Sequence, residues 1–342
     1  MRKWYEQSGK NSDIVISSRI RLARNFEGYP FAGRLESEQT AQLVNSVTTC
    51  FENDFGDEYS YLYMSKCSED TRRALKEKRE ISSYLMNRKD GALILSKDEG
   101  QAVMVAAEDH IRIQQLMSGM NLEEAYDKVN KTDDYIDKHF DYAFDEKYGY
   151  KTTYPTNVGT GMRAGCTLHL PALSQAKNLS RLSSELGRFG VRFKALYDDG
   201  DGSLGNLYQV SNQKTLGVSE KEIISDLSTL VIQIIEQERE QRNAFYESNK
   251  LAVEDEIYKS YGVVKYARKL NLRDAMTFLS MVMQGLSMGI LTLAKDEPFA
   301  INKILTQIQP AVLNESVRRA LSVEEQAEIR AEYLRRNIPD IV

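Results

Sequence analysis

The chain has little of what disulfide frameworks, zinc modules, membrane spans or nucleic-acid binders are made of. Cys50, Cys67 and Cys166 are its only cysteines, widely spaced, odd in number and without a CxxC pair. That argues against a disulfide scaffold and fits a reducing compartment. His110, His139 and His169 are equally scattered and give no metal-ligand spacing, so no metal site is expected. No apolar run approaches the ~20 residues needed to span a bilayer. The start, Met1-Arg2-Lys3-Trp4-Tyr5-Glu6, carries no apolar signal core, and the expected location is the cytoplasm. A net charge of −5 argues against general nucleic-acid binding, although local arginine clusters can still bind phosphate. The GxxxxGK[ST] and GxGxxG patterns are absent, so neither a P-loop nor a Rossmann dinucleotide site is expected.

What remains is an ordinary globular composition, with 342 residues to divide between two domains. Amphipathic patterning predicts helices over 38–50, 69–89, 122–140 and 174–189. Ala92–Ser96 and Gln101–Val105 predict a hairpin, Cys166–Leu170 a strand stopped by Pro171, and Val191–Tyr197 with Leu204–Val210 a second hairpin. From Ser219, which with Glu222 fits a capping box, the pattern is helical, including 272–293 and 323–337. Strands on short turns, interspersed with helices, predict an α+β fold with a mainly antiparallel sheet. The domain boundary is placed near Gly217-Val218.

Three segments carry the chemistry. Asn157–Gly165 sets Arg163 in a glycine-rich loop that can bring backbone N–H groups close to an anion. In Ser17-Ser18-Arg19-Ile20-Arg21, strand alternation would put both guanidinium groups on one face. Taken alone, that segment reads as a solvated edge strand, and Arg163 as a loop arginine paired with a surface carboxylate. Glu108 and Arg112 are four residues apart. On a helix they would form a common pair worth only ~0.3–0.5 kcal/mol, but their position straight after a hydrophobic strand favours a strand-end site. His110 reads as a structural hydrogen-bonding residue. Four arginines and a carboxylate suit phosphoryl transfer, which needs charge stabilisation and placement more than covalent help.

These segments resemble those of the bacterial protein-arginine kinases, relatives of the phosphagen (guanidino) kinases such as creatine and arginine kinase. The resemblance runs from about Asp13 to Gly217, on Ser17–Asn25, Glu108–Gln114, Pro155–Ala164 and Tyr208–Gln213. It implies a phosphagen-kinase-like catalytic domain over 1–217 and an all-helical domain over 218–342 for interaction or dimerisation. It also implies ATP with Mg²⁺, and catalytic carboxylates at Glu108 and Asp199. The implied nucleotide site comprises Ser17, Ser18, Arg19, Ile20 and Arg21, then Arg79 and Arg112, then Arg163, Ala164, Gly165, Cys166 and Thr167. It is completed by Lys194, Ala195, Leu196, Tyr197, Asp198 and Asp199.

Small-metabolite kinases of this superfamily have a long helical domain before the first arginine segment, which here begins at Ser17. The implied substrates are therefore arginine side chains of proteins. Implied partners are a Clp-type unfoldase, an activator protein and a second copy of the chain. Tyr154 stands where the family has cysteine, Lys194 where it has arginine, and Asp199 where it has glutamate. Lysine lacks the bidentate fork and aspartate is one methylene shorter. The alternatives are a nucleotide-binding pseudokinase that regulates a partner, and a kinase of a small guanidino compound.

Overall fold

Alternation along Val15–Arg24 decides how the molecule is layered. This segment is strand β1, with Ile20 and Leu22 buried on one face and Arg19 and Arg21 on the other. The computed structural model describes residues 2–197, 202–295 and 300–342. Among them the further strands are β2 (Tyr59–Tyr63), β3 (Ala92–Ser96), β4 (Gln101–Val105), β5 (Ile111–Ser118), β6 (Phe144–Asp145), β7 (Gly149–Tyr150), β8 (Met162–His169), β9 (Val191–Ala195) and β10 (Leu207–Asn212). All but β6 and β7, which form a small ribbon, join one antiparallel sheet in the order β2-β3-β4-β5-β1-β8-β10-β9.

The hairpin expected at 92–105 is present as β3 and β4. Ser17–Arg21 lies at the centre of the sheet, between β5 and β8, and not on an edge. The second hairpin pairs Val191–Ala195 with Leu207–Asn212, and its returning strand begins three residues later than the expected Leu204.

Helices α1 (Ser37–Phe55), α2 (Glu69–Glu77), α3 (Ser83–Asn87), α4 (Leu122–Asp137), α5 (Pro171–Gln175) and α6 (Leu179–Arg188) lie between the strands. They are followed by α7 (Glu220–Tyr266), α8 (Leu272–Ser287), α9 (Ile301–Gln307), α10 (Pro310–Val317) and α11 (Val323–Asn337). Two expected helices are broken. The one over 69–89 ends at Glu77, because Arg79 takes a left-handed φ of 67°. The one over 174–189 begins earlier and is interrupted at Lys177, with φ 57°. Pro171 opens α5 at the first helical position, where a missing N–H leaves no bond unmade. No helix among the described residues is long and apolar enough to cross a membrane.

One face of the sheet carries the main core, where Ile20, Ile113, Val103 and Val210 pack under α1, α4, α6 and the first half of α7. On the other face, Leu75, Ile81 and Leu85 of the α2–α3 region cover Leu93 and Met104. Helix α7 runs 47 residues and departs from helical geometry at Asn249. Its Ile223, Val231 and Ile235 belong to the sheet's core, whereas Val253, Ile257 and Val264 pack with α8, α9 and α11. The two cores therefore meet inside α7, well beyond Gly217. Between the α2–α3 cover and the C-terminal helices, the arginine-bearing face of the central strands is left open.

Candidate active site

Strand pairing brings the charged side chains together. Arg21 pairs with Arg163 on β8 and with Gln114 on β5, and Arg19 pairs with Gly165. Lys194 on β9 pairs with Gln209, which pairs with Thr167. Because neighbouring strands keep the same parity, Arg19, Arg21, Arg112, Arg163 and Lys194 all point to the open face. They line two adjoining cavities. The larger, about 580 Å³, is bounded by Arg19, Arg21, Arg79, Glu108, Arg112 and Lys194, with Leu196 and Tyr197. The smaller, about 220 Å³, is bounded by Arg21, Glu108, Arg112, Tyr154, Asn157 and Arg163. Arg21, Glu108 and Arg112 belong to both.

The same parity removes other expected residues from side-chain contact. Ser18, Ile20, Ala164 and Cys166 point to the opposite face and are buried there. Ser18 donates to Gly119 O at 2.8 Å, and burial pushes the Cys166 thiol up to about 12. Ala195 is half-buried and shares the parity of Phe193, which stacks on Tyr208 away from Lys194. Asp198 and Asp199 lie outside the described residues. Ser17 is on the open side and accepts a bond from Arg79 Nη1 at 3.1 Å.

Arg79 reaches the cavity because α2 ends abruptly. Glu80 N–H donates to Leu75 O and Arg79 N–H to Lys76 O, which is the Schellman pattern with Arg79 at the position usually given to glycine. A non-glycine residue there costs about 1 kcal/mol. The turn aims Arg79 along the sheet face, where Gln114 Nε2 donates to its carbonyl at 2.7 Å.

In the Asn157–Gly165 loop three of the amides are committed within the protein and are not offered to an anion. Thr160 N–H donates to Thr215 O, Gly161 N–H to Asn157 O, and Ala164 N–H to Asn212 Oδ1. Gly159 and Gly161 have φ of 109° and 63°, and a Cβ on either would lie within 2.6 Å of a carbonyl oxygen, of Thr215 or Ala23. These glycines serve close backbone packing. Arg163 itself is the second residue of β8, held by Asn212 O and by Asn157 Oδ1 at 3.0 Å.

Among the described residues, positive charge exceeds negative in this cluster, where Glu108 pairs with Arg112. No side-chain hydrogen bond or ion pair joins Arg19 or Arg21 to a described residue, and the buried Arg21 Nε has no partner. Burial, then the charges of Arg21, Arg79 and Arg112, pull the Arg19 guanidinium well below its usual range. Arg21 is pulled down by burial, Arg112 and Arg163, and Lys194 by burial, Arg192 and Arg19. Among the described residues Glu77 and Glu108 are the carboxylates that line the larger cavity, so its cations are in excess and suited to an anion.

Glu108 sits on the turn between β4 and β5. Burial raises its carboxyl, but the Arg112 charge and bonds from Arg112 and Ser82 hold it below the ordinary carboxylate range overall. Ser82 Oγ donates to Glu108 at 2.9 Å while accepting from Leu85 N–H as the cap of α3. The next two residues are structural. Asp109 accepts from Asn25 Nδ2 and from Thr153 N–H, which anchors the segment leading to Tyr154. His110 Nδ1 accepts from Phe26 N–H, and its Nε2 lies 2.8 Å from Pro30 O.

Sequence reasoning missed Ser82, Gln114, Gln209 and Glu77. Glu77 lines the larger cavity and accepts from Ala311 and Val312 N–H at the start of α10, so the C-terminal helices supply one wall. Ser82 left a weak local signal as a helix cap, and Gln114 and Gln209 lie within segments that carry the resemblance without having been singled out; Glu77 left no signal of a place in the site.

An antiparallel sheet with an arginine-lined open face beside a carboxylate defines an ATP:guanido phosphotransferase architecture. Solved structures share the fold: lombricine kinase at TM-score 0.59, 20% identity and 67% coverage of both chains. The duplicated taurocyamine kinase from Schistosoma mansoni matches at 0.61 and 22%, covering 75% of this chain and 39% of its own. Residues 40–241 match the family described as "ATP:guanido phosphotransferase, C-terminal catalytic domain", and 250–341 that described as "Protein-arginine kinase McsB C-terminal domain". A protein-arginine kinase from Clostridium acetobutylicum is 39% identical over 99% of this chain and 100% of its own length. One from Bacillus subtilis is 37% identical over 99% and 93%. The chain belongs to the protein-arginine kinase family.

Proposed function

We propose that the protein transfers the γ-phosphoryl group of ATP to the guanidinium of arginine side chains in other proteins. The observation that carries this is the pair of adjoining cavities sharing Arg21, Glu108 and Arg112. Nucleotide occupies the larger one, its phosphates held by Arg19, Arg21, Arg79, Arg112 and Lys194. The acceptor guanidinium enters the smaller one beside Glu108, Tyr154 and Arg163, and transfer takes place at their common wall.

The acceptor needs help because its pKa is above ~12 and its lone pairs are delocalised. Glu108 aligns the guanidinium and takes one proton as the N–P bond forms and the bond from the γ-phosphorus to the β-bridging oxygen breaks, releasing ADP. The arginines stabilise charge spread over the transferring group. When bound with the nucleotide, Mg²⁺ would supply charge neutralisation beside these arginines. Glu77 and Glu108, the carboxylates lining the larger cavity among the described residues, are both engaged by hydrogen bonds. That suits a Mg²⁺ held by phosphate oxygens and water.

Proteins with exposed arginines are the substrates on this proposal. A Clp-type unfoldase, an activator and a second copy of the chain are its further partners. Incubation with γ-labelled ATP, Mg²⁺ and an unfolded arginine-rich protein tests it, and acid-labile label on arginine is expected. ATP binding without turnover would instead indicate a regulatory nucleotide-binding protein, and label on free arginine alone a small-guanidino kinase.

A further inference from the structure

Away from the arginine face, on the side of the sheet covered by α1 and α4, Cys50, Asp54 and His139 converge. One potential ligand atom from each lies within 4.8 Å of the other two. Cys50 and Asp54 are one turn apart on α1, and His139 follows the last turn of α4. The histidine is already oriented. Its Nδ1 lies 2.8 Å from Tyr135 O, to which it donates, and its Nε2 lies 3.8 Å from Asp54 Oδ2. Tyr135 organises the rest: its OH donates to Asp54 Oδ2 at 2.6 Å and lies 3.1 Å from Cys50 Sγ. Its ring packs on Phe51, Phe55 and His139.

We propose that Cys50 Sγ, Asp54 Oδ and His139 Nε2 bind a Zn²⁺ ion that staples α1 to α4, with water as the fourth ligand. Thiolate, imidazole and carboxylate form a borderline-soft set suited to Zn²⁺ and ill-suited to Mg²⁺ or Ca²⁺. Tetrahedral bonds of about 2.0–2.3 Å require ligand atoms roughly 3.3–3.8 Å apart, so the site closes by about 1 Å. Asp54 and His139 are exposed enough to move that far, at 49% and 39% side-chain exposure. On binding, the Cys50 S–H proton passes to solvent and Tyr135 keeps its bond to Asp54. The histidine scatter that argued against a metal site is overcome by packing of two helices distant in the chain.

Calorimetric titration of the full chain with Zn²⁺, without nucleotide, tests this. The expected result is one equivalent bound with release of about one proton, read from buffer-dependent heats. A thiolate charge-transfer band with Co²⁺ and a higher Tm with Zn²⁺ should accompany it. Cys50→Ser and His139→Gln should each abolish the binding while melting like the metal-free parent, and Cys67→Ser should leave it unchanged. Absence of saturable binding, or binding retained in His139→Gln, would overturn the proposal.

Discussion

Arg21 stands directly opposite Arg163 across the β1–β8 ladder, on the face of the sheet that opens into both cavities. Like charges placed so are destabilising, by about 0.2–1 kcal/mol. Arg21 makes no side-chain hydrogen bond or ion pair with a described residue, and the nearby Glu108 is already paired with Arg112. Arg21→Met should therefore leave the Tm of the unliganded protein unchanged or higher. The variant should bind ATP about 10- to 150-fold more weakly, the equivalent of ~1.5–3 kcal/mol for a bond to a charged group. Calorimetry and thermal melting read the two effects separately; weaker folding with unchanged ATP affinity would contradict the assignment.

Glu108→Gln should lower kcat by about 10²–10⁴-fold and leave ATP affinity nearly intact. The carboxyl is held below its ordinary range, so it stays ionised through neutral pH, and any acid limb of kcat/KM due to it lies below the usual carboxylate range. Ser82→Ala removes one hydrogen bond to the charged form. That limb should then move to higher pH, which a pH–rate profile would show.

Arg79→Gly should separate stability from function. Glycine relieves the left-handed strain at the end of α2, worth about 1 kcal/mol, so the variant should melt no lower than the parent. Its KM for ATP should rise about tenfold or more, since a guanidinium is removed from the larger cavity. An unchanged KM would remove Arg79 from the nucleotide site.

Glu80, next in the chain, is 2% exposed, and its Oε2 has no partner. Burial, and after it the nearby Glu99, pushes its carboxyl up to about 8, against an ordinary 4.5. The folded chain keeps a proton that the unfolded chain loses near pH 4.5, so the contribution to stability is complete below that pH. It is lost as pH rises through about 8. Glu80→Gln should accordingly melt above the parent at pH 8–9, with the difference shrinking toward pH 5; parallel melting curves across that range would refute this.

Much of the site was legible because strand parity is local. Arg19 and Arg21 share a face whatever surrounds them, and Glu108 follows a strand that its apolar run announces. The misassignments have a common origin. Arg163 looked like part of an anion-binding loop, but three of the loop's amides are used by Thr215, Asn157 and Asn212, partners that local pattern does not reveal. Arg79, placed in the nucleotide site by the resemblance alone, lay in a stretch read as one charged helix, and the packing of Leu75 and Ile81 beneath β3 and β4 accompanies the end of that helix at Glu77.

By itself the sequence determined the alternation of β1, the first hairpin, the capping box that starts α7, and the supply of arginines and one carboxylate for phosphoryl chemistry. These follow from backbone periodicity and side-chain type, which act over a few residues. Tertiary structure decided which groups meet: Arg21 beside Arg163, Glu77 on the start of α10, and Cys50 beside His139. Strand order and helix packing set those meetings by burying apolar faces contributed by distant segments, and no local pattern encodes the neighbours that result.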